Sequence, residues 1–138
     1  MKQAALSFSL AVVLLLGLAS LAWARDERMV ASPDVPAAIG VLSFDHDRNG
    51  NTKLHIDVHH LAEPAQLTPA RNTYVVWVQR HGEPPQNVGE LRVNHDLDGS
   101  FRTSVPYQVF DVFVTPEQNP RASAPSGPDV LKATVNAR

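Results

Sequence analysis

Residues 55–59 read His-Ile-Asp-Val-His, which sets two imidazoles and a carboxylate at alternate positions. On an extended strand, alternate side chains share one face at a spacing of about 7 Å. His55, Asp57 and His59 would then form a donor set suited to zinc or copper(II), with His46, His60 or His95 as further ligands. The same pattern has a plainer expectation. Leu54, Ile56 and Val58 fill the intervening positions, so the polar three are also what the wet side of a half-buried strand looks like.

Two other stretches carry ligand chemistry in outline. Asp45-x-Asp47-x-Asn49-Gly50-Asn51 matches the front of a calcium loop, with Gly50 at the sixth position counted from Asp45. The bidentate acid needed at the twelfth position is replaced by Ile56, so the segment is expected to be a hairpin turn closed by its own Asx side chains. Asn94 to Gly99 (NHDLDG) has the same composition and the same expectation. Nucleophilic catalysis has less support: no serine sits in a G-x-S-x-G elbow, and no Ser-His-Asp order stands out. The chain is therefore expected not to be an enzyme, with no catalytic residue and no cofactor.

These groups need elements to hold them. Residues 39–44 are apolar and short, a strand; Asn49-Gly50 marks the hairpin after it; and 53–59 alternates with period two. Residues 60–72, with Pro64 and Pro69, make a long connection between sheets. Thr73 to Gln79 is the most apolar segment and a central strand, with Trp77 as a core anchor. Tyr74 and Trp77, three apart, face opposite ways. Further strands are expected at 88–93, 100–105, 108–115 and 128–135, separated by turns at 81–85 and 94–99 and by a Pro/Ser/Ala loop at 116–127. About seven short strands with no helix among them predict an all-β fold, a single Ig-like Greek-key β-sandwich spanning 38–138. Residues 25–37 (RDERMVASPDVPA) lack periodicity and are expected to be a flexible leader.

The compartment is written at the start of the chain. Met1-Lys2-Gln3 precedes an uncharged apolar run, and Ala22-Trp23-Ala24 ends it just before Arg25-Asp26-Glu27-Arg28. That order is a secretory signal, a signal helix at 1–24 cleaved before Arg25. A retained anchor is the alternative, because the run approaches the ~20 residues that span a bilayer. The 138-residue chain less those 24 leaves 114 residues, enough for one cored domain without staples. There is no cysteine, so disulfides and thiolate metal sites are excluded. With Lys2 removed, the charge is 11 − 14 = −3, which does not attract nucleic acid.

The apolar strands also carry a family pattern. Tyr74-Val75-Val76-Trp77-Val78, Gly82, Val88-Gly89-Glu90-Leu91, Asp98-Gly99, Phe110 to Glu117 and Pro125-Ser126-Gly127-Pro128-Asp129-Val130-Leu131 follow one order. That order, over residues 73–131, resembles the extracytoplasmic C-terminal domain of anti-sigma-K-type factors. It departs at Pro116-Glu117-Gln118, where the family has a Glu-Pro pair, and at Ser126, where the family has threonine. The resemblance implies a β-sandwich sensing or interaction domain outside the membrane, with no catalytic residues. Only three residues precede the apolar run, so the cytoplasmic sigma-binding part is expected to be absent.

The function expected from the sequence is a periplasmic or secreted binding module of the bacterial envelope. Its partner would be an envelope protein or other extracytoplasmic ligand, with no nucleic acid and no membrane contact after signal cleavage. Loops 60–72, 81–87 and 116–127 are expected to make the contacts from one end. The alternative is a periplasmic zinc or copper protein using His55, Asp57 and His59.

Overall fold

The hairpin at 46–52 shows how the local chemistry builds the fold. Asp47 Oδ1 accepts from the Asn49 and Asn51 amides at 2.8 and 3.0 Å, and Gly50 takes φ of 80°. The Asp47 side chain thus closes a turn on itself, as the Asx composition predicts. Strands β3 (Ile39–His46) and β4 (Thr52–His59) leave this turn in antiparallel register, Phe44 opposite Leu54 and Leu42 opposite Ile56. All four are buried.

The computed structural model describes residues 25–138, and the signal expected at 1–24 lies outside them. Its remaining strands are β1 (Arg25–Arg28), β2 (Val30–Ala31), β5 (Thr73–Gln79), β6 (Gln86–Leu91), β7 (Gly99–Val105), β8 (Val109–Glu117) and β9 (Leu131–Asn136). They form two antiparallel sheets, β1-β3-β4-β7 and β2-β9-β8-β5-β6. Among the described residues no helix is long and apolar enough to cross a membrane.

The core lies between the sheets. It takes the inward positions of β3 and β4, Tyr74, Val76 and Val78 of β5, Phe110, Val112 and Val114 of β8, and Leu131 and Val135 of β9. Tyr74 is fully buried, and its hydroxyl donates to the Ala62 carbonyl at 2.6 Å, tying the 60–72 connection to the core. Burial pushes its phenol up to about 12 from the ordinary 10.0. The neutral phenol is thus the form the fold favours, so stability is full below pH 10 and falls as pH rises through the folded value. Tyr74→Phe is expected to remove this alkaline loss, measurable as melting temperature between pH 9 and 12.

Residues 25–37 depart from the expected flexible leader. β1 pairs with β3 and β2 with β9, so the segment passes from one sheet to the other. Met29, between them, is 4% exposed, and its amide donates to the Gly40 carbonyl at 2.8 Å; Val35 is 3% exposed. Two apolar anchors in a charged stretch give no period. The charges of Arg25 to Arg28 lie on an edge strand, where charge guards against further pairing. The count of strands rises to nine among the described residues. Smaller shifts follow from pairing: β6 begins at Gln86, β8 runs on to Glu117, and β9 starts at Leu131.

Candidate functional site

β4 alternates as its sequence requires, with Leu54, Ile56 and Val58 buried and His55, Asp57 and His59 turned outward. His55 Nε2 lies 3.2 Å from Asp57 Oδ1 and 3.0 Å from the Ser100 hydroxyl. His59 instead engages Asp98 of the 92–98 loop, Nδ1 to Oδ1 at 2.9 Å. His95 pairs with Glu63 at 3.5 Å. The three sequence-predicted metal residues therefore do not converge. Among the described residues no group of three or more His, Asp or Glu side chains is placed to hold a metal.

The Ser100–His55–Asp57 grouping has the composition of a catalytic triad but not its geometry. Both partners meet the same ring nitrogen. Activation of a serine needs the base to take its proton on one nitrogen while the carboxylate orients the other. Beside these residues a groove of about 520 Å³ runs past Ser43, Asp45, Lys53 and Arg102, which set one carboxylate against two cations. The face is polar and mixed. Zinc or copper(II) is expected to leave the melting temperature unchanged within about 1 °C, because a preformed ligand set is what lets mass action stabilise the fold. A larger rise that His55→Ala with His59→Ala abolishes would restore the metal reading.

The more ordered feature lies at one end of the sandwich. The start of β5 meets the end of β8, Thr73 opposite Glu117. This brings loops 60–72 and 118–130 together. Asn72 N donates to the Glu117 carbonyl at 3.1 Å, and Asn72 Nδ2 to the Gln118 carbonyl at 3.0 Å. The 92–98 loop joins them through His59–Asp98 and through the Leu61 amide, which donates to the Leu97 carbonyl at 3.1 Å. Of the 81–87 loop only Asn87 reaches them; the turn itself, 80–85, lies where β5 ends, with Gln79 opposite Asp111 and bonded to the Glu83 carbonyl, at the opposite end. Sequence alone had no means of placing it, since the end a loop occupies depends on strand order.

What fixes the 118–130 loop is a buried carboxylate. Glu117, 1% exposed, stands on the outer face of the five-stranded sheet, in line with Thr115 and Phe113. Its Oε1 accepts from the amides of Ser126 at 2.5 Å and Gly127 at 3.2 Å, and from the Thr115 hydroxyl at 3.2 Å. The Ser126 hydroxyl donates to Oε2 at 2.7 Å. Thr115 in turn accepts from the Trp77 indole N–H at 2.8 Å. Burial alone would raise the Glu117 pKa, but these donors outweigh it and hold the carboxyl below its ordinary 4.5. The charged form is the bound form.

The loop shields a second small core of Val75, Trp77 and Phe113, with Ala122 packed on it. Asn87 of β6 clamps the far side, donating to the carbonyls of Pro120 and Ala122, each at 2.9 Å. Gly127 is required at its position, because a Cβ there would stand 2.3 Å from the Pro116 carbonyl oxygen. The organising role of Glu117 was not legible in the sequence. Its one signal was an acid closing a nine-residue, mostly apolar strand just ahead of a Pro-Ser-Gly-Pro stretch.

Beneath this loop end lies a pocket of about 280 Å³. Its walls come from the 32–38 turn, the 60–72 loop, the end of β8 and the end of the 118–130 loop, among them Leu67, Pro69, Pro116 and Val130. Arg71 and Asp34 supply its charges. Comparison with protein-family models and with curated proteins finds no match to this chain.

Proposed function

We propose that the chain is an exported, non-enzymatic interaction or sensing module of the bacterial envelope that holds a partner with one end of its β-sandwich. The observation that carries this reading is the Glu117 network. A buried carboxylate with four protein donors holds a thirteen-residue loop (118–130) against the sheet, beside loops 60–72 and 92–98. Loops held rigidly at one end of a β scaffold offer a partner a surface whose ordering entropy is already spent.

The finer fold is an Ig-like Greek key. Support comes from the order β3-β4-β7 facing β9-β8-β5-β6, in which β5 and β7 each follow a crossing between sheets. The kinship proposed is with the outer domain of anti-sigma-K-type factors, working without the sigma-binding part. In its favour, Trp77, Thr115, Glu117 and Gly127, which belong to the motif segments of that resemblance, meet in one hydrogen-bonded network, and Ser126 joins it with a hydroxyl where the family has threonine's. Residues 1–24 support export to the periplasm or beyond, and the expected mature N-terminus is Arg25. Mass spectrometry finding residues 1–24 intact would favour an anchored form.

A photo-cross-linker placed in turn at Thr68, Asp96 and Asn119 of the loop end, and at Arg48 and Glu83 of the opposite end, tests the binding reading in cells. Discrete adducts from the first three positions and none from the last two are expected. Adducts confined to Arg48 and Glu83 would overturn it.

A further inference from the structure

Arg71 is the one Lys or Arg among the described residues that is not exposed. It is half-buried in the wall of the loop-end pocket. Three other arginines have partners: Arg80 has Glu83 and the Tyr107 ring, Arg92 has Glu90, and Arg25 has the Asn136 carbonyl; the arginines that share the lack of one are exposed to water. Among the described residues the Arg71 guanidinium makes no ion pair or side-chain hydrogen bond, and neither does the carboxylate of Asp34. The two line the same pocket without reaching each other.

A guanidinium drawn partly out of water without a counter-charge costs free energy, and a carboxylate arriving in its plane recovers it through two parallel hydrogen bonds. Leu67, Pro69, Pro116, Pro128 and Val130 give the rest of the wall its apolar part, and Gln66 and Thr68 are its uncharged polar members. The frame is fixed on each side. The Arg71 amide donates to the Pro64 carbonyl at 2.9 Å, Val130 N to the Val114 carbonyl at 2.8 Å, and Ser32 N to the Val130 carbonyl at 2.9 Å. At about 280 Å³ the pocket is at the small end of ligand sites and suits one residue-sized group.

We propose that this pocket binds a carboxylate carried beside a small aliphatic group, with Arg71 as the carboxylate receptor and the proline-lined wall taking the aliphatic part. This rests on the loop end being the binding end. Two sources bring that chemistry: the last residue of a partner chain, and a free amino acid whose ammonium would face Asp34.

The probes are N-acetyl-leucine, its neutral amide N-acetyl-leucinamide, and free leucine, titrated into the 15N-labelled exported protein while amide shifts are followed. N-acetyl-leucine is expected to move the amides of Leu67, Thr68, Arg71 and Val130 saturably. The neutral amide should bind at least about tenfold more weakly, and Arg71→Gln should weaken N-acetyl-leucine by at least about tenfold while leaving the remaining spectrum in place. Arg71→Lys should keep part of the affinity. Tighter binding of free leucine, lost in Asp34→Asn, assigns the amino acid; tighter binding of the acetylated probe assigns a chain terminus. Equal binding of acid and amide, full binding by Arg71→Gln, or shifts confined to other surfaces would overturn the proposal. Loop-end cross-links that persist in that case would leave the binding reading standing without this ligand.

Discussion

Glu117→Ala is expected to lower stability by about 2–4 kcal/mol, a fall of roughly 10–15 °C in melting temperature for a domain of this size. The substitution strips the acceptor from the Ser126 amide and hydroxyl, the Gly127 amide and the Thr115 hydroxyl. A buried donor left without an acceptor costs about 1–3 kcal/mol, and the loop limits the damage only by lifting toward water. Lifting uncovers Val75, Trp77 and Phe113, which adds to the loss. Glu117→Gln keeps the shape and one carbonyl acceptor, so about half the effect is expected. Glu83→Ala, on an exposed pair with Arg80, should change stability by less than about 0.5 kcal/mol.

The same carboxylate sets an acid limb. Its folded pKa lies below the ordinary 4.5, so its contribution is complete above that value and is lost as pH falls through the folded one. Melting temperature followed from pH 6 to pH 3 should drop in the wild type and drop less steeply in Glu117→Gln. Parallel curves would mean that the network does not bind the charged form selectively.

Trp77→Ala is the second large effect, about 3–5 kcal/mol, from chemical denaturation with an unchanged m-value. Trp77 is fully buried and packs with Val75 and Phe113 on the outer face of the five-stranded sheet, not between the sheets. It therefore anchors the 118–130 loop as well as the sheet. Trp77→Phe separates the two roles. It keeps most of the buried ring and loses the indole donation to Thr115, so about 1–2 kcal/mol is expected. Tryptophan emission offers a second readout: a buried Trp77 should emit at short wavelength and shift red in Glu117→Ala.

Much of the fold was legible because period-two alternation is a local signal. Leu54, Ile56 and Val58 against His55, Asp57 and His59, and Phe110, Val112 and Val114 against Val109 and Asp111, follow directly from it. The Asx turns at 47–51 and 94–98 were equally local, with Asn94 Oδ1 accepting from the Asp96 and Asp98 amides. The opposed faces of Tyr74 and Trp77 were legible too, although the core that Trp77 enters was not. A sheet with both faces covered looks the same in sequence whether a second sheet or a loop covers the outer one. The pairing of Arg25 to Ala31 was hidden, since a charged edge strand has one apolar anchor, Met29, and no period. The candidate site was least legible. Glu117 meets Ser126 across a nine-residue separation, and the loops that share its end are defined by strand order rather than composition.

Native-state hydrogen exchange of the Ser126 and Gly127 amides tests most directly whether the loop end is a prebuilt platform. Both are expected to exchange slowly, in step with the core amides of β5 and β8, and to lose that protection in Glu117→Ala while Tyr74 and Val112 keep theirs. Exchange of Ser126 and Gly127 at the rate of an open chain in the wild type would contradict the account, leaving the end of the sandwich to be ordered only when a partner arrives.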